Sequence, residues 1–472
     1  MSRTPKLVCA LVAVMAACAV LAPAAGASRA QDTFFESPGL LLNPATRPAT
    51  MATLQRLGVR ALRVELSWHA VAPGANSRRR PAFDATDPAS YNWALYDPLV
   101  NEARARGWKI LLTVTSPVPR WATGNPRGRS LLYRPNAAQF KAFMTAVGRH
   151  YGTTVSMFSI WNEPNHHEFL EPQFNSNGTP ASPGIYRALY TAGYAGLQAA
   201  GIAHPRVLLG ETAPEGEAHP RIPVRGPNHN VTPLAFLRGA LCLNSAYQRA
   251  RSCPRLPALG WGLHPYSGVG GPFYTPHNSE SVTIAVLSRM TGALDRAARA
   301  GAIAPGLPLY ITEFGVISAP TRYIGQPVAR QAEYDAIAER IAYSNPRVAS
   351  FSQYLLRDDR IRSRNAVAFT TGLLYANGRP KPLYAGFPVP LTVSRRGQGY
   401  QLWGFVRPAG GPTELTVEVQ RAGSHRFTPL TKATTDARGY WTLPSNAAGQ
   451  RWRARWVSPE GVTYTGAAVR AY

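Results

Sequence analysis

The sequence predicts a (β/α)8 barrel followed by a small C-terminal antiparallel β-sandwich, and three observations carry that prediction. Short apolar runs alternate with helix-like segments up to about residue 388. Two of those runs lead into a glutamate, Val155 to Trp161 before Asn162-Glu163-Pro164 and Leu307 to Ile311 before Thr312-Glu313-Phe314-Gly315. Beyond Pro388 the pattern changes to brief alternating runs separated by Gly, Pro, Asn or Asp.

Seven runs read as strands: Leu62 to Leu66, Ile110 to Val114, Val155 to Ile160, Val207 to Leu209, Leu259 to Leu263, Leu307 to Ile311 and Val348 to Leu355. Pro308 is tolerated because it opens its strand, and Phe34-Phe35 or Leu40 to Leu42 supplies an earlier one. Between them Phe140, Phe143, Met144 and Val147 show the three-four spacing of a helix face, and Ile185 to Ala200 and Gln331 to Tyr343 are also helix-like. Such barrels carry their chemistry at the carboxyl ends of the strands. On this count Glu163 ends strand four, Glu313 ends strand seven, and both face one pocket.

The sandwich strands are Leu391 to Val393, Tyr400 to Val406, Leu415 to Val419, Tyr440 to Leu443, Trp452 to Trp456 and Tyr464 to Ala468. The linker is short, so the sandwich is expected to pack on the barrel. It has no cysteine and no catalytic cluster, which makes an accessory or stabilising role the default. Trp403, Trp441 and Trp452 fit a sandwich core better than a carbohydrate-binding face.

Arg3 and Lys6 precede the apolar run Leu7 to Leu21, and Ala25-Gly26-Ala27 offers small residues for cleavage. This implies a signal peptide over 1–27, a catalytic domain over 28–388 and an accessory domain over 389–472, in a secreted, extracellular or cell-envelope protein. Cys18 faintly resembles a lipoprotein site, but the apolar run continues past it. No later segment is long and apolar enough to span a bilayer. Removing the leader leaves only Cys242 and Cys253, whose spacing in an exported chain predicts one local disulfide. No metal site or cofactor is expected, since a zinc site would need further ligands from scattered histidines.

The formal charge of +26 comes from 46 Arg and 5 Lys dispersed along the chain rather than gathered into a basic arm. No nucleic-acid-binding motif accompanies it, so that reading rests on charge alone. A positive surface favours acidic glycans or an anionic cell envelope.

Two strand-end carboxyls suit glycosidic bond cleavage, in which one group protonates the leaving oxygen while the other attacks or stabilises the anomeric carbon. Residues from about 33 to 388 resemble the glycoside hydrolase clan A superfamily, with families 5 and 39 the nearest in flavour. The resemblance rests on Gly58-Val59-Arg60-Ala61-Leu62-Arg63-Val64 running into Ser67-Trp68, on Trp161-Asn162-Glu163-Pro164-Asn165, on Leu263-His264-Pro265-Tyr266 and on Ile311-Thr312-Glu313-Phe314-Gly315. Closing Gly372-Leu373-Leu374 and Lys381-Pro382-Leu383-Tyr384 are similar too.

The resemblance implies that Glu163 is the acid/base and Glu313 the nucleophile of a retaining O-glycosyl hydrolase. It implies that Asn162 bonds the sugar 2-hydroxyl, that Arg63 and Tyr266 hold the nucleophile, and that His264 lines the pocket. Trp68, Trp121, Trp161 and Tyr354 are candidates for a sugar platform or, equally, for the core. Tyr354 departs from the tryptophan that clan members often place at the end of strand eight. His166 and His167 stand near the leaving group or form an exposed loop pair. The expected partner is a polysaccharide or oligosaccharide with β-glycosidic bonds, acidic glycans included, and the alternative is an inactive carbohydrate- or envelope-binding protein on the same scaffold. The sugar, the linkage, endo or exo action and the oligomeric state are not legible in the sequence.

Overall fold

The computed structural model describes residues 28, 31–217, 220–224, 226, 228–319, 321, 325–361 and 368–472. The leader expected over 1–27 lies outside them. Eight parallel strands close a barrel in chain order: β1 (Asp32–Glu36), β2 (Ala61–Ser67), β3 (Lys109–Thr115), β4 (Met157–Ile160), β5 (Val207–Thr212), β6 (Gly260–Leu263), β7 (Leu309–Ile311) and β8 (Val348–Tyr354), which returns to pair with β1. Phe34-Phe35 supplies the first strand, whereas Leu40 and Leu41 belong to the short helix Pro38–Leu41.

The strands are apolar on both faces because helices cover the outside while side chains fill the inside. The helix Ala137–Tyr151 buries Phe140, Phe143, Met144 and Val147 against the barrel, and the Asn136 side chain caps it by accepting from the Gln139 amide. Among the described residues no helix is long and apolar enough to cross a membrane.

The barrel interior is layered, and the layers place the site. Phe34, Ala61, Leu111, Met157, Leu208 and Tyr310 form an apolar cluster toward the N-terminal ends of the strands. Two residues further along, the same faces carry Glu36, Arg63, Thr113, Ser159 and Thr312, all buried. A greasy plug therefore supports a polar layer, and the polar layer floors the pocket.

After Pro388 the chain forms β9 (Leu391–Arg396), β10 (Gly399–Phe405), β11 (Glu414–Gln420), β12 (Phe427–Thr434), β13 (Tyr440–Ser445), β14 (Arg451–Val457) and β15 (Thr463–Thr465). They build a three-stranded sheet, β13-β10-β9, and a four-stranded sheet, β12-β11-β14-β15. Strand β12 is the one the sequence reading omits, because Pro429 stands in its middle. Its edge position explains the tolerance, and the register shift in β11 between Val417 and Glu418 lies beside the proline. Trp441 and Trp452 are buried in the sandwich core, and Trp403 is buried against Phe405, Tyr440 and Tyr343.

The sandwich is docked on the barrel through polar and aromatic contacts. Arg407 forms a buried pair with Glu339 of the helix Val328–Tyr343 at 2.9 Å and donates to the Thr33 hydroxyl of β1 at 2.8 Å. The Tyr343 ring stands 4.3 Å from that of Tyr440. At Gly58, before β2, a Cβ would come within 2.6 Å of the Arg407 backbone. These contacts cover the N-terminal end and one flank of the barrel, away from the strand ends that carry the glutamates. The expected disulfide is present between Cys242 and Cys253, whose Cα atoms are 6.3 Å apart.

Candidate active site

Glu163 and Glu313 follow β4 and β7, and the fold brings them to one imidazole. His264, just beyond β6, has its Nδ1 at 2.9 Å from Glu163 Oε1 and 3.7 Å from Glu313 Oε2, so those oxygens are no further apart than the two distances combined. His264 Nε2 lies 3.0 Å from the Thr312 hydroxyl, which fixes the ring plane. Burial holds His264 down at about 4, so at neutral pH it is an uncharged ring between two carboxyls.

Strained backbone aims the first carboxyl. Trp161 and Glu163 have φ of 74° and 37°, a region non-glycine residues avoid. Hydrogen bonds to both neighbouring strands hold this turn: Trp161 N to Val114 O at 2.9 Å, Asn162 N to Thr115 Oγ1 at 3.1 Å, and Glu163 N to Glu211 O at 3.0 Å. Asn165, part of the same motif, ties the following loop to Ala213 and Val231 by side-chain hydrogen bonds.

Arg63 is the hub of the floor. It is 1% exposed and donates from Nη1 to Glu36 at 2.5 Å and Glu313 at 3.3 Å, and from Nη2 to Glu211 and Asn162 at 2.7 Å each and to Glu65 at 3.1 Å. Only a guanidinium offers enough donors in a fixed plane for such a set. With its Oδ1 engaged by Arg63, the Asn162 side chain keeps its NH2 for a ligand. Tyr266 donates to Glu313 Oε1 at 2.8 Å.

The two carboxyls therefore differ in surroundings. Burial pushes Glu313 up, against the pull of Arg63, and Arg63 and Tyr266 both donate to its oxygens. Glu163 meets only the neutral His264, and burial pushes it up to about 7 against the pull of His166 and Arg63. Burial raises both, and what separates them is the pair of donors on the Glu313 oxygens.

The sequence reading missed Glu36, Glu65 and Glu211. Glu211 is fully buried, receives Arg63 and accepts from Thr113 Oγ1 at 3.0 Å. Its inward aim comes from a bulge, since the β5–β6 register shifts between Gly210 and Thr212 and Glu211 has φ 53°. Gly262 on β6 makes room, because a Cβ there would lie 2.6 Å from Glu211 Cγ. The available signal was Gly210-Glu211 at the end of a strand, the same placement that marked the other two.

The aromatic candidates divide. Trp68 is 0% exposed and stacks on Phe143 at 5.2 Å, with Trp121 edge-on at 5.8 Å, so it is a core residue with no face open to a sugar. Trp121 and Trp161 are buried as well, their indole N–H groups donating to Pro73 O and Phe169 O. Tyr354 remains half-buried at the pocket, its backbone N–H donating to Phe314 O and its ring against Phe369. His166 and His167 stack at 4.7 Å; His167 bonds Asn230, and His166 is the nearer to Glu163 in electrostatic effect.

The architecture is the barrel-plus-sandwich found in solved glycosidases. It is similar to a glucosidase from Croceicoccus marinus, with 14% identity, 90% of this chain and 94% of that one covered, and a TM-score of 0.54. A family 39 glycoside hydrolase from the gut symbiont Bacteroides cellulosilyticus WH2 aligns at 16% identity over 88% of this chain and 79% of its own, again with a TM-score of 0.54. The fold expected from the clan A resemblance is thus the fold found, and at these identities the likeness speaks for fold alone. No family model and no curated protein matches the sequence.

Proposed function

We propose that the protein is a retaining glycoside hydrolase acting on β-glycosidic bonds of a polysaccharide or oligosaccharide. The observation that carries this reading is the meeting of Glu163 and Glu313 at His264 with different hydrogen-bond partners, Arg63 and Tyr266 on Glu313 and His264 on Glu163. The separation they allow suits the roughly 5 to 5.5 Å of retaining enzymes and reaches only the low edge of the inverting range. Glu163 would protonate the leaving oxygen as Glu313 attacks the anomeric carbon to form a glycosyl ester. Glu163, now ionised, would then take a proton from water as that water cleaves the ester. Asn162 would donate to the 2-hydroxyl, a contact that strengthens in the transition state. Other barrel carboxylates fit these roles less well, since Glu211 is saturated by Arg63 and Thr113.

Export is part of the proposal. The leader-like segment and the Cys242–Cys253 disulfide both suit an oxidising compartment.

Azide rescue tests the assignment. With an activated aryl β-glycoside, Glu163→Ala should recover activity in azide and give the β-glycosyl azide, whereas Glu313→Ala should give the α anomer. Near-normal hydrolysis by either variant without azide, on a substrate the parent turns over, would remove that glutamate from the mechanism.

A further inference from the structure

Five carboxyl groups line or floor this pocket: Glu36, Glu65, Glu163, Glu211 and Glu313. Among the described residues Arg63 is the only lysine or arginine paired with any of them, and His264 is uncharged. This sits oddly in a chain of charge +26. Glu36 and Glu211 are explained, because Arg63 is buried and holds each in a short hydrogen bond. Glu65 is not. Arg63 Nη2 already donates at 2.7 Å to both Glu211 and Asn162, and Glu65 receives only the longer contact of 3.1 Å.

Strand geometry says what Glu65 faces. It lies two residues beyond Arg63 on β2, on the same inward face and one layer nearer the mouth, in register with Thr113. Its side chain keeps 27% exposure, against 3% for Glu36 and 0% for Glu211. Glu163 and Glu313 feel its charge from the same space. It is a partly exposed carboxyl group, and among the described residues Arg63 is the one donor that reaches its oxygens.

We propose that Glu65 is a specificity-determining residue that accepts hydrogen bonds from the hydroxyls of the innermost sugar, so that this site takes an uncharged pyranoside and rejects a uronate. The inference rests on the hydrolase reading above. An ionised sugar carboxylate would enter a low-dielectric site lined by five carboxyl groups, where among the described residues Arg63 is the one lysine or arginine paired with them and its donors are already engaged. A hydroxyl-bearing sugar brings donors to acceptors, and its desolvation costs less than that of an ammonium sugar. The basic exterior can still attract a polyanionic chain, with the cleaved residue itself uncharged.

The test compares aryl β-xyloside, β-glucoside, β-glucosaminide and β-glucuronide at pH 6, on the parent protein and on Glu65→Gln. The parent is expected to favour its best neutral sugar over the glucuronide by about 100-fold or more in kcat/KM, and Glu65→Gln to narrow that ratio by about tenfold. A parent that prefers the glucuronide or the glucosaminide overturns the proposal. So does an equal loss on all sugars in Glu65→Gln, which would assign the residue to steadying Arg63. If the parent hydrolyses none of them, the hydrolase reading fails separately, and calorimetry with xylose, glucose and glucuronate decides the pocket. Neutral sugar binding over glucuronate, with that preference weakened in Glu65→Gln, upholds the selectivity; equal or tighter glucuronate binding, or no sugar binding, overturns it.

Discussion

A single guanidinium organises the chemistry at the residue scale. Arg63 orders the nucleophile candidate, Asn162 and two buried carboxyl groups at once, while Glu163 is left to the uncharged His264. The protonated form of Glu163 is the one that can act as acid, so kcat/KM should fall on the alkaline side with an apparent pKa near the value of about 7 that burial imposes. Glu163→Gln should lower turnover by about 100-fold or more on a sugar with a poor leaving group and much less on an aryl glycoside with a good one. A pH profile of the parent and a leaving-group series of the variant check both. The sign for stability is opposite to that of a salt-bridged glutamate. The unfolded chain ionises at the ordinary 4.5 while the folded carboxyl holds its proton to about 7, so this group costs stability as pH rises through that window.

At the scale of the elements, period and strand-end position made the barrel legible, and local irregularity hid the rest. The strands leading into Glu163 and Glu313 could be counted because their apolar runs are bounded and alternate with helices. Glu211 escaped because a bulge, which has no apolar signature, turns it inward, and β12 escaped because a proline forbids a central strand but not an edge. Trp68 beside a matching motif suggested a platform; its stacking on Phe143 comes from a helix far along the chain, which no local pattern reveals. The bulge has its own test. Gly262→Ala would push a methyl group into Glu211, so a loss of about 1 to 3 kcal/mol from overpacking is expected, together with loss of turnover as Arg63 is displaced. Chemical denaturation and aryl glycoside kinetics measure the two, and an unchanged kcat with a lowered midpoint would show that Glu211 does not hold the hub in place.

Across the whole molecule the sandwich stands apart from the mouth that holds Glu163 and Glu313 but is fastened to the barrel by buried charge. Arg407→Ala leaves the Glu339 carboxylate buried without its cation, and Asp335, pushed up to about 7 by burial, stands one helical turn away. The variant should lose about 3 to 5 kcal/mol of stability. Arg407→Lys, which keeps charge but not the paired geometry, should recover only part of it. Both are read from guanidinium denaturation, and a loss below 1 kcal/mol in Arg407→Ala would mean that the junction is relaxed or wet. A chain ending at Pro388 exposes the same carboxylate and the Tyr343 ring, so it should be less soluble even though every catalytic candidate precedes the cut.

The closing seam of the barrel has a consequence for assembly. Strand β1 meets β8, Asp32 beside Ser350, and the Arg407 guanidinium then reaches back to Thr33. During synthesis the first strand must wait, with its far edge unpaired, until nearly the whole barrel has emerged. The cyclic sheet cannot be nucleated locally at that join, so its formation is a late, entropy-limited event and the waiting edge is a site for wrong pairing. Once made, the join is latched from outside by the sandwich that follows it in the chain. A molecule pulled from its C-terminus would therefore surrender the latch before the ring, and its lifetime under force would be set at that latch rather than at the pocket.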